Sequence, residues 1–154
     1  MATISRLGVI DTGESAVRVL ESVGGLNSAD DAPPITTLLF HADTDPQPWY
    51  AREADEVHRL GDEPELASVE DLVACLQRAR VDTLWLGAWR PAERLDLIAL
   101  CEAGGIGVVG PRSSTVRRLA DLAATAGARA VDSRLRRVEV DILADDHANV
   151  WTLG

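Results

Sequence analysis

Residues 3–10 read TISRLGVI, and residues 11–23 continue as DTGESAVRVLESV. The first segment is a short, mainly apolar run that is typical of a buried strand. In the second segment apolar residues recur at helical spacing, namely Ala16, Val17, Val19, Leu20 and Val23. The pair Gly24-Gly25 then predicts the end of the helix, because glycine is common just past a helix C-terminus. The sequence therefore opens with a strand, a tight turn and a helix.

The same alternation continues along the chain. Strands are predicted at 35–40, 56–60, 81–86 and 106–110, and helices from Ser68, over 91–103 and over 113–126. Residues 41–50, rich in turn formers, are predicted to be a polar connection. Strands that alternate with helices favour a doubly wound, Rossmann-like α/β fold, with a parallel sheet and helices on both faces.

The last segment differs in character, since RRVEVDILAD, DHAN and VWTLG follow one another over 136–154. Two strand-like runs separated by turn residues predict a β-hairpin. We therefore predict one α/β domain over 1–130 and a C-terminal hairpin over 131–154. A length of 154 residues with 46% hydrophobic residues suits a single packed core and excludes disorder and disulfide scaffolds.

The charge balance is acidic, with 25 Asp and Glu against 15 basic residues and a net charge of −10. All the basic residues are arginine, and the sequence contains no lysine. Because nucleic-acid binding requires clustered cations, we expect no nucleic-acid partner. No apolar run approaches the ~20 residues of a membrane span, and the N-terminus has no secretion signal. We expect a cytoplasmic protein in which Cys75 and Cys101 are reduced and buried in helices.

Two motifs occur around the first turn. Residues 8–15, GVIDTGES, have nearly the spacing of a phosphate-binding loop, but Glu14 stands where that loop needs lysine, and a carboxylate repels phosphate. Residues 10–13, IDTG, match the signature of retroviral-type aspartic proteases, which are all-β, whereas helical periodicity follows here. We favour a strand-to-helix turn in which Gly13 gives backbone freedom and Asp11 or Thr12 caps the helix.

Other chemistry-bearing residues are scattered. His41, His58 and His147 lack the spacing of metal ligands, so no metal site is predicted, and His58 and His147 are expected at the surface. Ligands of doubly wound folds bind beyond the carboxyl ends of the strands. The candidate rim there consists of Thr12, Gly13, Trp89, Arg90 and Arg112.

Five stretches follow one another in the order of a known family. Residues 9–18 are similar to its IANRGEIAxR, 41–61 to SDADRDxxHxxxADEAxxxG, 85–99 to HPGYGFLSENxxFA, 102–111 to EAGIxFIGP, and 136–154 to RHVEVQVLADxxGNVxxLGE. On these stretches the chain resembles the N-terminal domain of biotin carboxylases, the ATP-dependent component of biotin-dependent acyl-CoA and pyruvate carboxylases. The resemblance implies a pre-ATP-grasp α/β domain, with the hairpin corresponding to a later strand pair of the ATP-grasp region.

The departures from the family bear on catalysis. The nucleotide-contacting lysine of its GDK motif aligns with Leu122, and the tyrosine of HPGYG aligns with Ala88. Residues 123–134 stand in place of a long ATP-grasp segment with a glycine-rich lid, and the sequence ends at Gly154, before the family's metal and bicarbonate ligands. The family uses ATP, Mg²⁺, bicarbonate and biotin, and phosphoryl transfer needs cations on the transferring group. We therefore expect no catalytic residue and no cofactor in this chain.

Two functions remain open. The first is a non-catalytic structural or assembly component of a biotin-dependent acyl-CoA carboxylase, either as a homodimer or on other carboxylase subunits. The resemblance implies that Arg18, which matches the last arginine of GEIAxR, lies at the dimer contact, although a solvated helix residue is the alternative. The second is a small-molecule or nucleotide-binding module that has lost ligase activity.

Overall fold

The computed structural model describes residues 3–29, 33–41, 48–60, 68–87, 94–125, 141–145, 147 and 149–153. The strands of its main sheet are β1 (Arg6–Ile10), β2 (Thr36–His41), β3 (Glu56–Arg59), β4 (Thr83–Leu86) and β5 (Gly107–Val108). The helices are α1 (Gly13–Ala29), α2 (Val69–Arg78), α3 (Leu95–Ala103) and α4 (Ser113–Thr125). All strand pairs in the sheet are parallel, in the order β3-β2-β1-β4-β5. The predicted doubly wound α/β fold is thus confirmed.

Both faces of the sheet are covered by helices. Successive strand residues point to opposite faces, so each strand contributes to two clusters. On one face Phe40 and Leu84 pack in a cluster with Leu76 of α2 and Leu97 of α3. On the other face, the core of the cluster is formed by residues of β1, β2 and α1: Leu7, Val9, Leu39, Ala16, Leu20 and Val23. Strands buried on both faces read as the continuous apolar runs that the sequence shows.

Helix α1 does not end at Gly24-Gly25 as predicted but continues to Ala29. The reason lies one turn later, where the Asn27 side chain donates to Ile35 O at 2.9 Å and accepts from Ile35 N at 2.8 Å. These two bonds tie the last turn of α1 to the start of β2. The two glycines are exposed within the helix, so their lower helix propensity is tolerated.

A short 3-10 helix over Trp49–Glu53 lies in the connection that was predicted to be a polar loop. Tyr50 is buried against the cluster on the α1 face, whereas Trp49 is 60% exposed. The buried ring gives this segment a fixed place on the domain. The earlier part of the connection, 42–47, lies outside the described residues.

The predicted C-terminal hairpin is also present, as strands β6 (Asp141–Ala144) and β7 (Val150–Leu153) in an antiparallel pair. Its turn is organised by Asp145, whose Oδ1 accepts from the backbone N–H groups of His147 and Asn149, both at 2.9 Å. The proposed division of the chain near residue 130 stays a prediction, since 126–140 lie outside the described residues. Within the described ranges, none of the helices is long and apolar enough to cross a membrane.

Candidate functional site

The order of the strands defines where a ligand site would lie. The chain winds from β1 through β2 to β3 on one side and then crosses to β4 and β5 on the other. Doubly wound sheets form a crevice at this topological switch point, beyond the carboxyl ends of the two strands. Here the switch point lies between β1 and β4, where the backbone N–H of Gly87 donates to Ile10 O at 3.1 Å.

A buried carboxylate stands in this crevice. Asp11, the first residue after β1, is only 6% exposed. Its Oδ1 accepts from the backbone N–H of Thr12 at 2.8 Å, and its Oδ2 accepts from the Ser15 hydroxyl at 2.6 Å. Asp11 or Thr12 was predicted to cap α1. It is the Asp11 side chain that forms hydrogen bonds within this turn. Gly13 starts the helix with φ at +61°, a conformation that favours glycine.

The carboxylate of Asp11 also lies directly against the backbone of Gly87. A Cβ built on Gly87 would stand 1.9 Å from both Cγ and Oδ2 of Asp11. Only glycine leaves room for the carboxylate, so the two residues fill the floor of the crevice together. Apolar periodicity does not reveal this pair, because it depends on β1 and β4 being neighbours in the sheet. The signal that could have found it is the rule that the crevice of a doubly wound sheet lies beyond the carboxyl ends of the two strands at the switch point.

The predicted rim residues are only partly brought together. Thr12 is exposed and Gly13 is half-buried, and both lie at the switch point. Arg112 is exposed beyond β5, and its carbonyl oxygen accepts from the N–H groups of Thr115 and Val116 at the start of α4. Trp89 and Arg90 lie outside the described residues.

Arg18, predicted to lie at a dimer contact, is on the surface of α1. Its side chain is 74% exposed and forms a 2.8 Å ion pair with Glu14, which is 77% exposed. Exposed pairs at this i,i+4 spacing are worth only ~0.3–0.5 kcal/mol. The guanidinium is therefore accessible to a partner at little cost.

The histidines and cysteines occupy different environments. His41 is buried at the end of β2, whereas His58 is only partly exposed, because its ring stacks on Phe40 with centroids 4.9 Å apart. His58 thus lies at the surface of the edge strand β3 with one face of its ring covered, and His147 is exposed in the hairpin turn. Cys101 is fully buried and Cys75 half-buried, and desolvation raises the pKa of the Cys101 thiol to about 11. Among the described residues, no cluster of His, Cys, Asp or Glu could hold a metal ion.

The fold and its switch point define the class of this molecule as a doubly wound α/β domain with a helix beginning at the crevice. Its family is more specific. Residues 3–116 match the family described as "Biotin carboxylase, N-terminal domain", and the chain belongs to that family. The resemblance found in the sequence is thereby confirmed.

Relatives of the chain are subunits or domains of biotin-dependent carboxylases. It is 28% identical over 125 residues to the mitochondrial methylcrotonoyl-CoA carboxylase subunit alpha of rice, covering 79% of this chain and 16% of that protein. It is 26% identical over 124 residues to human mitochondrial pyruvate carboxylase, covering 77% of this chain and 10% of that protein. The chain thus spans a sixth or less of the length of these relatives.

A solved structure shows the same fold. The T882A variant of pyruvate carboxylase from Rhizobium etli, in a structure with the allosteric activator acetyl coenzyme-A, superposes with a TM-score of 0.71 at 24% identity. The match covers 97% of this chain and 16% of that protein.

Proposed function

We propose that this chain is a non-catalytic assembly component of a biotin-dependent acyl-CoA carboxylase, associating with other carboxylase subunits or with a second copy of itself. Family membership supplies the context, because the relatives carry this domain within much longer carboxylase chains. The observation that carries the proposal is the C-terminal hairpin.

The hairpin is apolar on both of its faces. Leu143 and Trp151 lie directly opposite each other on one face and are 56% and 48% exposed. Ile142 and Val150 lie on the other face and are 65% and 62% exposed. A two-stranded hairpin is marginally stable alone in water, and strands that are apolar on both sides are usually covered on both sides. The hairpin therefore has the surface of a strand pair that is completed by a partner.

Two further residues support the absence of catalysis. Leu122, which aligns with the family's nucleotide-contacting lysine, is 57% exposed on α4 and offers no charge to a phosphate. Asp11 places a carboxylate rather than a cation at the switch point. Both features oppose the binding and transfer of a phosphoryl group.

The test is an assembly measurement on the full chain. We expect size-exclusion chromatography with light scattering to show a complex with a biotin carrier or carboxyltransferase subunit, or a homodimer. The double variant Leu143→Ser/Trp151→Ser should weaken this association at least about tenfold, since burying each large apolar side chain is worth ~1.5–3 kcal/mol. Val57→Ser is the matched control, because Val57 is also an exposed apolar strand residue, at 47%, but lies on β3.

A clean monomer that ignores every carboxylase component would refute the assembly proposal. Equal weakening by Val57→Ser would show that the hairpin is not the contact. Circular dichroism of each variant separates lost association from lost folding.

The alternative, a nucleotide or small-molecule binding module, is favoured by the position of Thr12 and Gly13 at the switch point. A thermal-shift panel with ATP, ADP, biotin and an acyl-CoA tests it, because a ligand that binds only the folded state raises the unfolding midpoint. A midpoint raised by one of these ligands would establish the module. An unchanged midpoint with all four would leave the assembly role.

A further inference from the structure

We propose that the hairpin β6–β7 of one copy of this chain docks on the exposed face of α4 of a second copy. The exchange is reciprocal, so a two-fold dimer holds two such contacts. This inference rests on the proposed function, because it names the partner of the hairpin and the surface that receives it.

Helix α4 is anchored on one side and apolar on the other. On its inner side Val116 is 7% exposed, and the N–H and hydroxyl of Ser113 donate to the Glu102 carboxylate of α3 at 3.1 and 2.5 Å. Leu119 and Leu122 are 58% and 57% exposed. Residues at i,i+3 spacing are neighbours on a helix surface. Helix α4 therefore presents a firmly held apolar face that the described part of the chain leaves largely uncovered.

The hairpin supplies an apolar surface of matching size. Leu143 and Trp151 are directly opposite each other in the strand pair, and both are about half exposed. The Cβ atoms of such a cross-strand pair lie about 4.5–5.5 Å apart, and those of Leu119 and Leu122 about 5–6 Å apart at their helical spacing. Tryptophan is also among the residue types that contribute most to binding at protein interfaces. The two apolar pairs thus have the spacing to pack against each other.

The charges of the two surfaces are complementary. Residues 141–154 contain three aspartates and no arginine, which gives a side-chain charge of −3. Helix α4 contains two arginines and one aspartate, which gives +1 in a chain whose net charge is −10. The exposed Arg118 lies one turn before Leu122 on the same face, whereas Arg117 lies about 160° around the helix from Leu119. A second hairpin would bring like charges together, so α4 is the better partner for the hairpin.

The experiment is sedimentation of the full chain over a concentration series, with one variant for each surface. Leu143→Ser/Trp151→Ser removes the apolar surface of the hairpin, and Leu119→Ser/Leu122→Ser removes that of α4. Each variant alone should dimerise at least about tenfold more weakly than the wild type, because it loses both contacts. An equimolar mixture should associate at least about tenfold more tightly than either variant alone, because one intact hairpin can still dock on one intact α4.

A matched pair of charge reversals tests the complementarity. Arg118→Glu and Arg117→Glu change the same helix and the net charge by the same amount, but they lie on different faces of α4. At low ionic strength Arg118→Glu should weaken the dimer at least about threefold, whereas Arg117→Glu should leave it intact. Equal weakening by both would contradict a contact at Arg118.

Three results would overturn this inference and leave the assembly role standing. The first is a dimer that survives Leu119→Ser/Leu122→Ser, and the second is a mixture that associates no more tightly than its components. The third is a chain that is monomeric alone but binds a carboxylase subunit through its hairpin. A chain that stays monomeric and binds no carboxylase component would refute both proposals. Circular dichroism of each variant distinguishes lost association from lost folding.

Discussion

The contact between Asp11 and Gly87 joins two loops that are far apart in sequence and fixes the turn between β1 and α1. The carboxylate has three neighbours here, namely the Thr12 N–H, the Ser15 hydroxyl and the main chain of Gly87. The family pattern also has glycine at position 87, within the segment that aligns with HPGYG. Close approach of the Asp11 side chain gives a physical reason for glycine in this chain.

Gly87→Ala tests that reason. The new methyl group would stand 1.9 Å from Cγ of Asp11, so the carboxylate or the backbone has to move. We expect a loss of about 2 kcal/mol in the free energy of unfolding, within the usual range for overpacking. Urea denaturation followed by circular dichroism measures it.

The control is Gly25→Ala, in the exposed interior of α1, where a Cβ would meet nothing within 4 Å apart from its chain neighbours and the backbone of its own helix. It should stabilise the protein by about 0.5–1 kcal/mol, because alanine is the better helix former. An unchanged free energy of unfolding in Gly87→Ala would contradict this explanation, because it would mean that the Asp11 side chain can leave the crevice without cost.

Asp82 supplies a second prediction at this scale. Its Oδ2 accepts from the N–H and the hydroxyl of Ser5, at 2.9 and 2.6 Å, and from the N–H of Arg6 at 3.0 Å. Desolvation alone raises the pKa of Asp82, but these hydrogen bonds outweigh it and lower the pKa below the ordinary 3.8. A carboxyl group whose pKa is lower in the folded than in the unfolded protein stabilises the fold at pH values above the pKa of the unfolded state. This stabilisation is lost as the pH falls through the pKa of the folded state.

Asp82→Asn should therefore be less stable than the wild type at pH 7, and the difference should shrink as the pH falls below about 4. Thermal unfolding of both proteins between pH 7 and pH 2.5 checks this. A difference that stays constant over the whole range would mean that shape rather than charge stabilises this contact.

At the scale of the elements, the sequence pattern predicted each strand and α-helix that the structure describes, but neither the 3-10 helix over Trp49–Glu53 nor where every element ends. Strand β5 was predicted over 106–110 and spans only Gly107–Val108, because the chain turns away at Gly110, whose φ is +131°. Helix α1 passes two glycines because of a tertiary bond between Asn27 and Ile35. These ends depend on the backbone conformation of single residues and on side-chain bonds to the neighbouring segment, which apolar periodicity does not contain.

The start of α2 was predicted correctly because its signal is local. Ser68 Oγ accepts from the Asp71 N–H at 3.1 Å and donates to the Asp71 carboxylate at 2.7 Å. Ser68→Ala should lower the free energy of unfolding by about 1 kcal/mol, as is usual for a lost N-cap. Chemical denaturation measures the loss.

Ser22→Ala is the matched control, because Ser22 is an exposed residue inside α1 whose hydroxyl donates to Arg18 O. Alanine is the better helix former, so the change should be neutral or stabilising by up to ~0.5 kcal/mol. A loss as large as that of Ser68→Ala would mean that hydroxyl contacts in general, rather than the cap, determine helix stability here.

At the scale of the whole molecule, strand order could not be derived from periodicity, and the site depends on it. Thr12 and Gly13 lie between the end of β1 and the start of α1, as the strand and helix patterns of residues 3–23 predict, and their role in a ligand rim stays a prediction. That Asp11 faces Gly87 follows only once β4 is known to lie beside β1. Arg112 follows β5, which is separated from β1 by β4, so the predicted rim is wider than a single crevice.

Self-association is the last property that belongs to this scale, and Arg18 allows it to be tested separately from the hairpin. We expect a homodimer to place Arg18 at its contact, because Arg18 matches the last arginine of the family's GEIAxR segment, and its 74% exposed side chain, only weakly paired with Glu14, is accessible there. Arg18→Glu would set two carboxylates at i,i+4 spacing, which costs the monomer only ~0.5 kcal/mol, but it would reverse a charge in the interface. Sedimentation over a concentration series should therefore show dimerisation weakened at least about tenfold, with the unfolding midpoint nearly unchanged. Arg117→Glu, an exposed reversal on α4, should leave the dimer intact, and equal weakening by both variants would point to net charge rather than to a contact at Arg18.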